Sequence, residues 1–530
     1  MNRRSFIQAA SLLSSAGFLL ESCSTKLPIK VSMVGANSKV GHLIREGVKA
    51  NPTTFTEVDT IIIGGGISGL VAGRELHKNQ KQFLLLELDK EVGGNAAFGS
   101  NKTSEYPWGA HYIPIPNNHL IEYLQFLEEE GIVQGYDENQ LPIYKEEYIC
   151  FDSQERLFIN GKWQEGLVPK FGLLTEDESK VASFLKLMEV LKEKKGSDGK
   201  WVFDIPIANS SKDEEWLKLD QITMIEWLKQ QSFFNSHLEN YINYCTRDDF
   251  GTSIYECSAW IGLHYFAARK GKGANVKSDD VITWPEGNGF LVKKLREKIK
   301  DQIRTNALVT EVQPVEAGIK ISVLNPINNE STGFLCKQLI IATPQFITNR
   351  IWEHKERAAL VKTHFEYVPW LVANINCSTP LEISGAPLSW DNVCYGSLSL
   401  GYVNATHQLL NQKISEHNFT LYIPLSEKDA KAQRQKAYET PIENWKELVL
   451  QEMKRVYPNF ESNIISIEIL LWGHAMVKPK PGLVHGPVLG SLAKSPDPRI
   501  HFAHTDLAGI SIFEEAFYQG LNAAKNCLNG

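Results

Sequence analysis

The 530-residue chain lacks the marks of several protein classes. It has no run of 18 consecutive apolar residues, whereas a membrane-spanning helix needs about 20. Its eight cysteines form no Cys-x-x-Cys pair, so no metal site is predicted. Acidic residues outnumber basic ones by 62 to 55, which argues against nucleic-acid binding. The 43% of hydrophobic residues instead indicates a globular chain with a real core.

Residues 1–23 have the composition of an export signal. Arg3 and Arg4 precede a mostly apolar stretch over residues 9–20, which is too short to span a membrane. The arginine pair followed by Phe6 resembles a twin-arginine signal, and the segment ending at Cys23 resembles a lipoprotein cleavage box. Cys23 is then either a lipid-anchored residue or merely close to a cleavage point. We expect an exported protein, periplasmic or membrane-anchored, with residues 24–57 as a polar tether.

A glycine-rich turn follows the first strongly apolar run. Residues 60–63 suit a buried parallel strand, and Gly64, Gly66 and Gly69 complete a Gly-x-Gly-x-x-Gly pattern before a predicted helix. These glycines would allow the tight turn, the approach of a diphosphate and close helix–strand packing, in that order. A second apolar strand ends at Glu87, which can accept hydrogen bonds from a ribose. This arrangement predicts a dinucleotide-binding fold.

The residues after Glu87 indicate which dinucleotide is bound. Residues 88–95 include the pair Gly93-Gly94 and then Asn95, and this segment resembles the extended FAD signature of the flavin amine oxidase and protoporphyrinogen oxidase superfamily. The resemblance implies FAD as the cofactor, with Gly94 and Asn95 beside it. Family members usually carry arginine where this chain has Asn95.

Two distant segments extend the resemblance. Residues 501–506 read as a strand that ends in Asp506, followed by a helix over 512–528, like the carboxy-terminal FAD segment of the family. The match implies that Asp506 contacts the ribityl–phosphate region and that the backbone at Phe513 and Glu514 caps the flavin ring. It also implies a backbone contact from Val309 to adenine, within a strand meander.

The expected fold is α/β with two domains. A Rossmann-like FAD-binding domain is interleaved with a mixed α+β substrate domain, as in the glutathione-reductase-type fold of the amine oxidases. The FAD-binding domain is predicted to comprise residues 58–115, 280–345 and 475–530. The substrate domain is predicted to comprise residues 116–279 and 346–474.

Aromatic and histidine side chains near the expected flavin are the catalytic candidates. By their positions along the chain these are His111, Trp284, Trp472 and His474. An isolated tryptophan is more often a core residue than a pocket wall, so each candidate competes with a structural role. The charged run at residues 247–249 lies in an apolar and aromatic region and is expected to be buried and paired.

The resemblance implies an FAD-dependent oxidoreductase. It would oxidise a C–N or C–C bond of a small organic substrate by hydride transfer to flavin N5 and pass electrons to oxygen or another acceptor. Many amine oxidases carry a lysine near N5, but the corresponding run at 368–374 contains none. Two alternatives stay open: a flavin-dependent isomerase or mutase, and a non-catalytic, envelope-tethered flavin-binding protein.

Overall fold

The computed structural model describes residues 29–35, 37–380, 384–410, 414–426 and 429–530. The export signal and Cys23 lie outside the described residues, as does the start of the expected tether. The strands are β1 Lys30–Val34, β2 Phe55–Ile63, β3 Phe83–Leu86, β4 Phe98–Ser100, β5 Glu105–Pro107, β6 Tyr112–Pro114, β7 Val133–Tyr136, β8 Pro142–Tyr144, β9 Glu155–Ile159, β10 Lys162–Glu165, β11 Val281–Thr283, β12 Ile303–Arg304, β13 Leu308–Val315, β14 Gly318–Leu324, β15 Ser331–Ile341, β16 Tyr367–Ser378, β17 Asp391–Cys394, β18 Tyr402–Asn404, β19 Glu416–Pro424, β20 Ile464–Val477 and β21 Ile500–Phe502. The α-helices are α1 Ser38–Arg45, α2 Ile67–Lys78, α3 Ile121–Glu129, α4 Thr175–Lys192, α5 Glu214–Leu217, α6 Met224–Lys229, α7 Ser236–Phe250, α8 Ala259–Ala267, α9 Gly289–Glu297, α10 Gln345–Ile351, α11 Lys355–His364, α12 Ala430–Glu439, α13 Ile442–Lys454, α14 Pro487–Ala493 and α15 Phe513–Asn529.

A seven-stranded sheet is built around the predicted dinucleotide fold. Its order is β12-β3-β2-β15-β14-β13, with β21 also paired to β15. Strands β3, β2, β15 and β21 run parallel, and residues 61–63 are buried on both faces, which explains their continuous apolar run. The carboxyl ends of these strands therefore meet at one edge, where α/β sheets bind their ligands.

The carboxy-terminal helix covers this sheet beside the glycine-rich turn. Helix α15 packs on α2, and Gly520 lies so close that an added Cβ would fall 2.2 Å from the carbonyl oxygen of Ser68. The Ser68 hydroxyl donates to the carbonyl of Ala516 at 2.8 Å. The glycine-rich turn and the carboxy-terminal helix thus meet at one site, because small residues let both helix backbones approach closely.

An eight-stranded mixed sheet forms the other main layer. Its order is β1-β20-β16-β19-β18-β17-β9-β10, and the long strand β16 is buried over almost its whole length. Strand β16 pairs antiparallel with both β19 and β20, and Trp370 faces Trp472 across that pairing. The mixed α/β architecture with a Rossmann-like part confirms the predicted fold class, while the domain boundaries stay predictions.

The segment expected to be a tether is folded over its described part. Residues 30–34 form the edge strand β1, residues 38–45 form α1, and β2 begins at Phe55. Helix α1 packs with Leu43 and Ile44 beside Leu308 and Leu324, although the segment as a whole is polar. The segment contains too few apolar residues for this packing to be predicted from the sequence. The tether interpretation is therefore wrong for these residues.

The seven described cysteines form no disulfide with one another, and all but Cys394 are buried. None of the helices in the described ranges combines the length and the apolar character needed to cross a membrane.

Candidate active site

A cleft at the carboxyl edge of the parallel strands brings most of the predicted cofactor residues together. We call it the cofactor cleft, and its space of about 1020 Å³ is continuous with the solvent. The following residues line it: Gly64, Gly65, Gly66, Ile67, Ser68, Glu87, Gly93, Gly94, Asn95, Ala96, Ala110, Ala342, Pro344, Tyr367, His474, Ala475, Val477, His504, Thr505, Asp506, Ser511, Ile512, Phe513 and Ala516.

The three fingerprint glycines have the geometry expected of them. Gly64 has a φ of +105°, and an added Cβ would lie 2.7 Å from the carbonyl oxygen of Ala342. An added Cβ on Gly69 would lie 1.9 Å from the carbonyl oxygen of Gly64, so helix and strand pack without room for a side chain. At Gly66 an added Cβ would meet nothing within 4 Å, because that position faces the cleft. Only Gly66 therefore keeps space open for a ligand.

The donors and acceptors of the cleft fit a dinucleotide. Gly66 caps α2 with no side-chain hydrogen bond, so the first N–H groups of the helix are available to an anionic diphosphate. The Glu87 carboxylate accepts from the N–H groups of Gly65 at 2.7 Å and Asp89 at 2.8 Å, which orients it at the cleft wall. Burial raises the pKa of Glu87, while these N–H groups act in the opposite direction. The residues present thus fit FAD.

Some of the predicted cofactor residues do not line the cleft or already have hydrogen-bond partners. Val309 is buried in β13 and does not line the cleft, so its backbone contact with adenine stays a prediction. Asp506 lines the cleft, but its Oδ2 atom accepts from the N–H of Gln345 at 2.7 Å and the Tyr367 hydroxyl at 2.6 Å. Phe513 lines the cleft at the start of α15, whereas Glu514 faces a neighbouring cavity.

That neighbouring cavity, here called the substrate pocket, encloses about 850 Å³. Aromatic and charged side chains form much of its wall, and the full lining is Asn95, Gly109, Ala110, His111, Tyr112, Pro114, Asp248, Asp249, Arg269, Asn288, Trp370, Val372, Tyr422, Trp472, Ala475, Met476, Ser511, Ile512, Phe513 and Glu514. Asn95, Ala110, Ala475, Ser511, Ile512 and Phe513 line both cavities. A molecule in the pocket would therefore touch the end of a cofactor in the cleft.

Two of the four catalytic candidates line the substrate pocket. The His111 ring stacks on Tyr422 with 4.8 Å between ring centroids, and burial lowers the pKa of His111 to about 4. Its Nδ1 atom lies 3.2 Å from the carbonyl oxygen of Gly109, which can only accept, so the proton of the neutral ring is on Nδ1. Trp472 donates its indole N–H to the carbonyl of Trp108 at 2.6 Å, which fixes it as an aromatic wall.

The other two candidates have different positions. His474 lines the cofactor cleft, where it stacks on Phe346 with centroids 4.2 Å apart. Burial, helped by the charge of Arg434, lowers the pKa of His474 to about 3. Trp284 lines neither cavity, since its ring is buried against Phe290 with an interplanar angle of 6°. The structure does not bring Trp284 to the site, and its loop contributes Asn288 instead.

The charged groups of the pocket include two residues of the run 247–249, which the sequence predicts to be buried and paired. Asp249 accepts from Arg269 Nη2 at 2.8 and 3.0 Å, so this part of the predicted pairing is present. Among the described residues, no cation forms an ion pair with Asp248. Burial and the nearby charge of Asp249 raise the pKa of Asp248 to about 7, against the attraction of Arg269 and Arg247. Burial also raises the pKa of Glu514.

Comparisons with known proteins agree with this architecture. Residues 62–127 match the model of an NAD(P)-binding Rossmann-like domain. Oxidoreductase PigB of Serratia sp. is 21% identical over 88% of this chain and 74% of its own length. Flavin-containing amine oxidase A of Canis lupus familiaris is 26% identical over 55% of this chain and 51% of its own length.

Solved structures extend the likeness to nearly the whole chain. A wild-type putrescine oxidase superposes with a TM-score of 0.66 at 16% identity, covering 90% of this chain and all of that one. The protein has the flavin amine oxidase fold. A cyclohexylamine oxidase from Brevibacterium oxydans agrees, with a TM-score of 0.61 at 15% identity over 89% of this chain and 99% of its own. The resemblance stated from the sequence is thereby confirmed, and these relatives support FAD as the cofactor of an oxidoreductase.

Proposed function

We propose that this flavin amine oxidase-like protein oxidises a small organic amine at the carbon that carries the nitrogen. The observation that carries this proposal is Asp248, a carboxylate in an aromatic pocket without a cationic partner among the described residues. An ammonium group would form a direct ion pair with that carboxylate, in addition to the attraction of Arg269 and Arg247. The relatives named for amines and the shared walls of the two cavities support the same choice.

The charge of the pocket favours a cation over an anion. Asp248, Asp249 and Glu514 are three acidic groups, and Arg269 is the single Lys or Arg side chain among the described lining residues. Since Arg269 is paired with Asp249, it offers little attraction to a substrate anion. The rings of His111, Tyr422, Trp370 and Trp472 would hold an apolar substrate body, and aromatic faces also attract cations.

The proposed roles of the protein groups follow from their protonation. Asp248, with a pKa of about 7, can hold the ammonium and then accept one of its protons near neutral pH. The deprotonated amine can lose hydride from the adjacent carbon and become an iminium ion. When bound, FAD supplies the oxidant that takes up this hydride. His111 is a weaker proton acceptor, because its pKa of about 4 keeps its affinity for a proton low.

The electron acceptor is proposed to be something other than oxygen. Strand β16 presents Trp370 and Val372 to the pocket, in the run where many amine oxidases have a lysine. Because residues 368–374 contain no lysine, a dehydrogenase is favoured over an oxidase. Steady-state assays with oxygen or with an artificial dye as acceptor would separate the two forms.

The experiment that tests the proposal is anaerobic reduction of the purified, FAD-loaded protein. An amine panel is compared with neutral alcohols of the same shape, and loss of the oxidised flavin absorbance is recorded. We expect amines to reduce the flavin and alcohols to leave it oxidised. A flavin that every amine leaves oxidised would contradict the proposal, and substrate conversion without net reduction would favour an isomerase or mutase.

Export is a separate proposal, which rests only on residues 1–23. Replacement of Arg3 and Arg4 by lysine should retain the protein in the cytoplasm, whereas C23A should release it from membranes if Cys23 is lipidated. Cell fractionation with an antibody to the folded part measures both outcomes. Unchanged distributions would contradict the two parts of this proposal.

A further inference from the structure

The cofactor cleft has an unusual charge balance for an anionic ligand. Its described lining contains the carboxylates of Glu87 and Asp506 but neither lysine nor arginine. Asn95, where the family has arginine, donates its side-chain amide to the carbonyl of Ala475 instead. An FAD diphosphate would thus bring negative charge to a cleft whose described lining offers histidines, backbone N–H groups, hydroxyl groups and the Asn95 amide instead of a lysine or an arginine.

Of the two histidines in the lining, His504 is the one whose ring is oriented by a hydrogen bond, whereas His474 stacks on Phe346. Its Nδ1 atom accepts the backbone N–H of Asp506 at 3.1 Å and so caps the 3₁₀ turn Thr505–Leu507. A neutral ring that accepts at Nδ1 must carry its proton on Nε2. Nε2 has no hydrogen-bond partner among the described residues, and the side chain is 23% exposed.

The carboxylate of Asp506 lies beside the ring of His504. The distance between His504 Nδ1 and Asp506 Oδ1 is 3.2 Å. Burial acts to raise the pKa of Asp506, but His504, Tyr367 and the N–H of Gln345 together lower it. The Asp506 carboxylate therefore stays charged beside the ring of His504, whose side chain lines the cleft.

The topology places His504 near the helix terminus that would receive the diphosphate. In the parallel register Ile63 pairs with Ile341, and Ile341 pairs with Phe502, two residues before His504. Strands two positions apart in a sheet are separated by about 10 Å. The imidazole thus extends from the same sheet edge as Gly64, across a gap that a diphosphate with its flanking groups can bridge.

We propose that His504 anchors FAD by donating a hydrogen bond from Nε2 to the diphosphate, in place of the arginine that is absent at position 95. This inference rests on the FAD assignment and does not depend on the amine substrate. It assigns a cofactor-binding role to His504, which directly precedes Thr505 and Asp506 in the chain.

Three substitutions separate this role from the capping role of the same ring. His504→Asn keeps an acceptor for the N–H of Asp506 but removes the donor at the position of Nε2. His504→Gln can keep a donor near that position, and His504→Ala removes both functions. His501→Ala is the matched control, because the Nε2 atom of His501 is bound to Gln338 and its side chain does not line the cleft.

The measurement is the dissociation constant of the apoprotein for FAD and for ADP, which shares the diphosphate but has no flavin. We expect His504→Asn to weaken both ligands by about tenfold or more, with the apoprotein melting temperature unchanged. His504→Gln should recover much of the affinity, and His501→Ala should match the wild type.

Other outcomes would overturn the proposal in distinct ways. Equal FAD affinity in the wild type and His504→Asn would mean that the ring serves only as a cap. Weakened FAD with unchanged ADP would move the contact from the diphosphate to the ribityl chain or the flavin. Failure of the wild type itself to bind FAD would contradict the cofactor assignment, which is a different result from failure of the His504 proposal.

Discussion

The cofactor cleft and the substrate pocket are adjacent cavities built in opposite ways. The cleft is lined largely by glycines, other small residues and the start of α2. The pocket is lined by rings and by the side chains of Asp248, Asp249, Arg269 and Glu514. Backbone therefore defines the first cavity and side chains define the second. A change in the cleft should act on folding or FAD binding, whereas a change in the pocket should act on substrate with FAD retained.

The largest effect should come from the most tightly packed glycine of the cleft. In Gly69→Ala the new methyl group would clash with the carbonyl oxygen of Gly64, and both groups belong to backbone that cannot easily move. We expect the free energy of unfolding to fall by about 3 kcal/mol or more. Chemical denaturation of the apoprotein measures this loss.

Gly490→Ala is the control for that substitution. Gly490 is an exposed residue of α14, and an added Cβ there would meet nothing within 4 Å. This change should stabilise the protein by about 0.5–1 kcal/mol. Similar stabilities for the two variants would show that the packing at Gly69 is not tight.

Gly66→Val should separate binding from folding within the same motif. The φ of −72° at Gly66 is accessible to valine, and the side chain would project into open space. We expect the apoprotein to keep its stability to within about 0.5 kcal/mol, while FAD affinity falls by about 100-fold or more, because the diphosphate can no longer approach the backbone. Fluorescence titration with FAD measures the affinity, and unchanged binding would place the cofactor elsewhere.

Asp248→Asn should act on the substrate alone. Asparagine has nearly the same shape but cannot pair with an ammonium group, so we expect kcat/KM for amines to fall by about 100-fold, as for loss of a buried charged partner. FAD affinity should be unchanged, since Asp248 does not line the cleft. An equal loss for amines and for any neutral substrate would contradict the ammonium contact.

The same substitution should change how stability depends on pH. The pKa of Asp248 is about 7 in the folded chain and 3.8 for an ordinary aspartate, so the folded state binds this proton more tightly. The free energy of unfolding of the wild type should therefore fall as pH rises from about 4 to about 7 through this group. The Asp248→Asn variant lacks this decrease. Its free energy of unfolding relative to the wild type should therefore increase from about pH 4 to about pH 7 and stay constant above that. A constant difference between the two apoproteins would contradict the raised pKa.

The two cavities also differ in how far the sequence predicts them. Gly64, Gly66, Gly69 and Glu87 lie within one βαβ segment, where local spacing reflects backbone geometry. The hydrogen bonds of Asp506 could not be predicted from local spacing, because their donors, Gln345 and Tyr367, lie more than 130 residues away along the chain.

The substrate pocket has no such local pattern. Asp248 comes from α7, Trp370 from β16 and Tyr422 from β19, and only the tertiary packing of this helix and sheet brings them together. Trp284 is the opposite case. Its position along the chain predicts a place near the site, but its ring is buried and stacks on Phe290. A stacked aromatic pair and a pocket wall look the same in a sequence.

The most direct measurement is titration of the purified apoprotein with FAD, followed by anaerobic addition of an amine to the loaded protein. We expect one FAD to bind per chain, no comparable binding by Gly66→Val, and bleaching of the bound flavin by the amine in the wild type but far more slowly in Asp248→Asn. A wild-type chain that folds yet takes up no FAD would contradict the assignment of the cleft and of every role built on it.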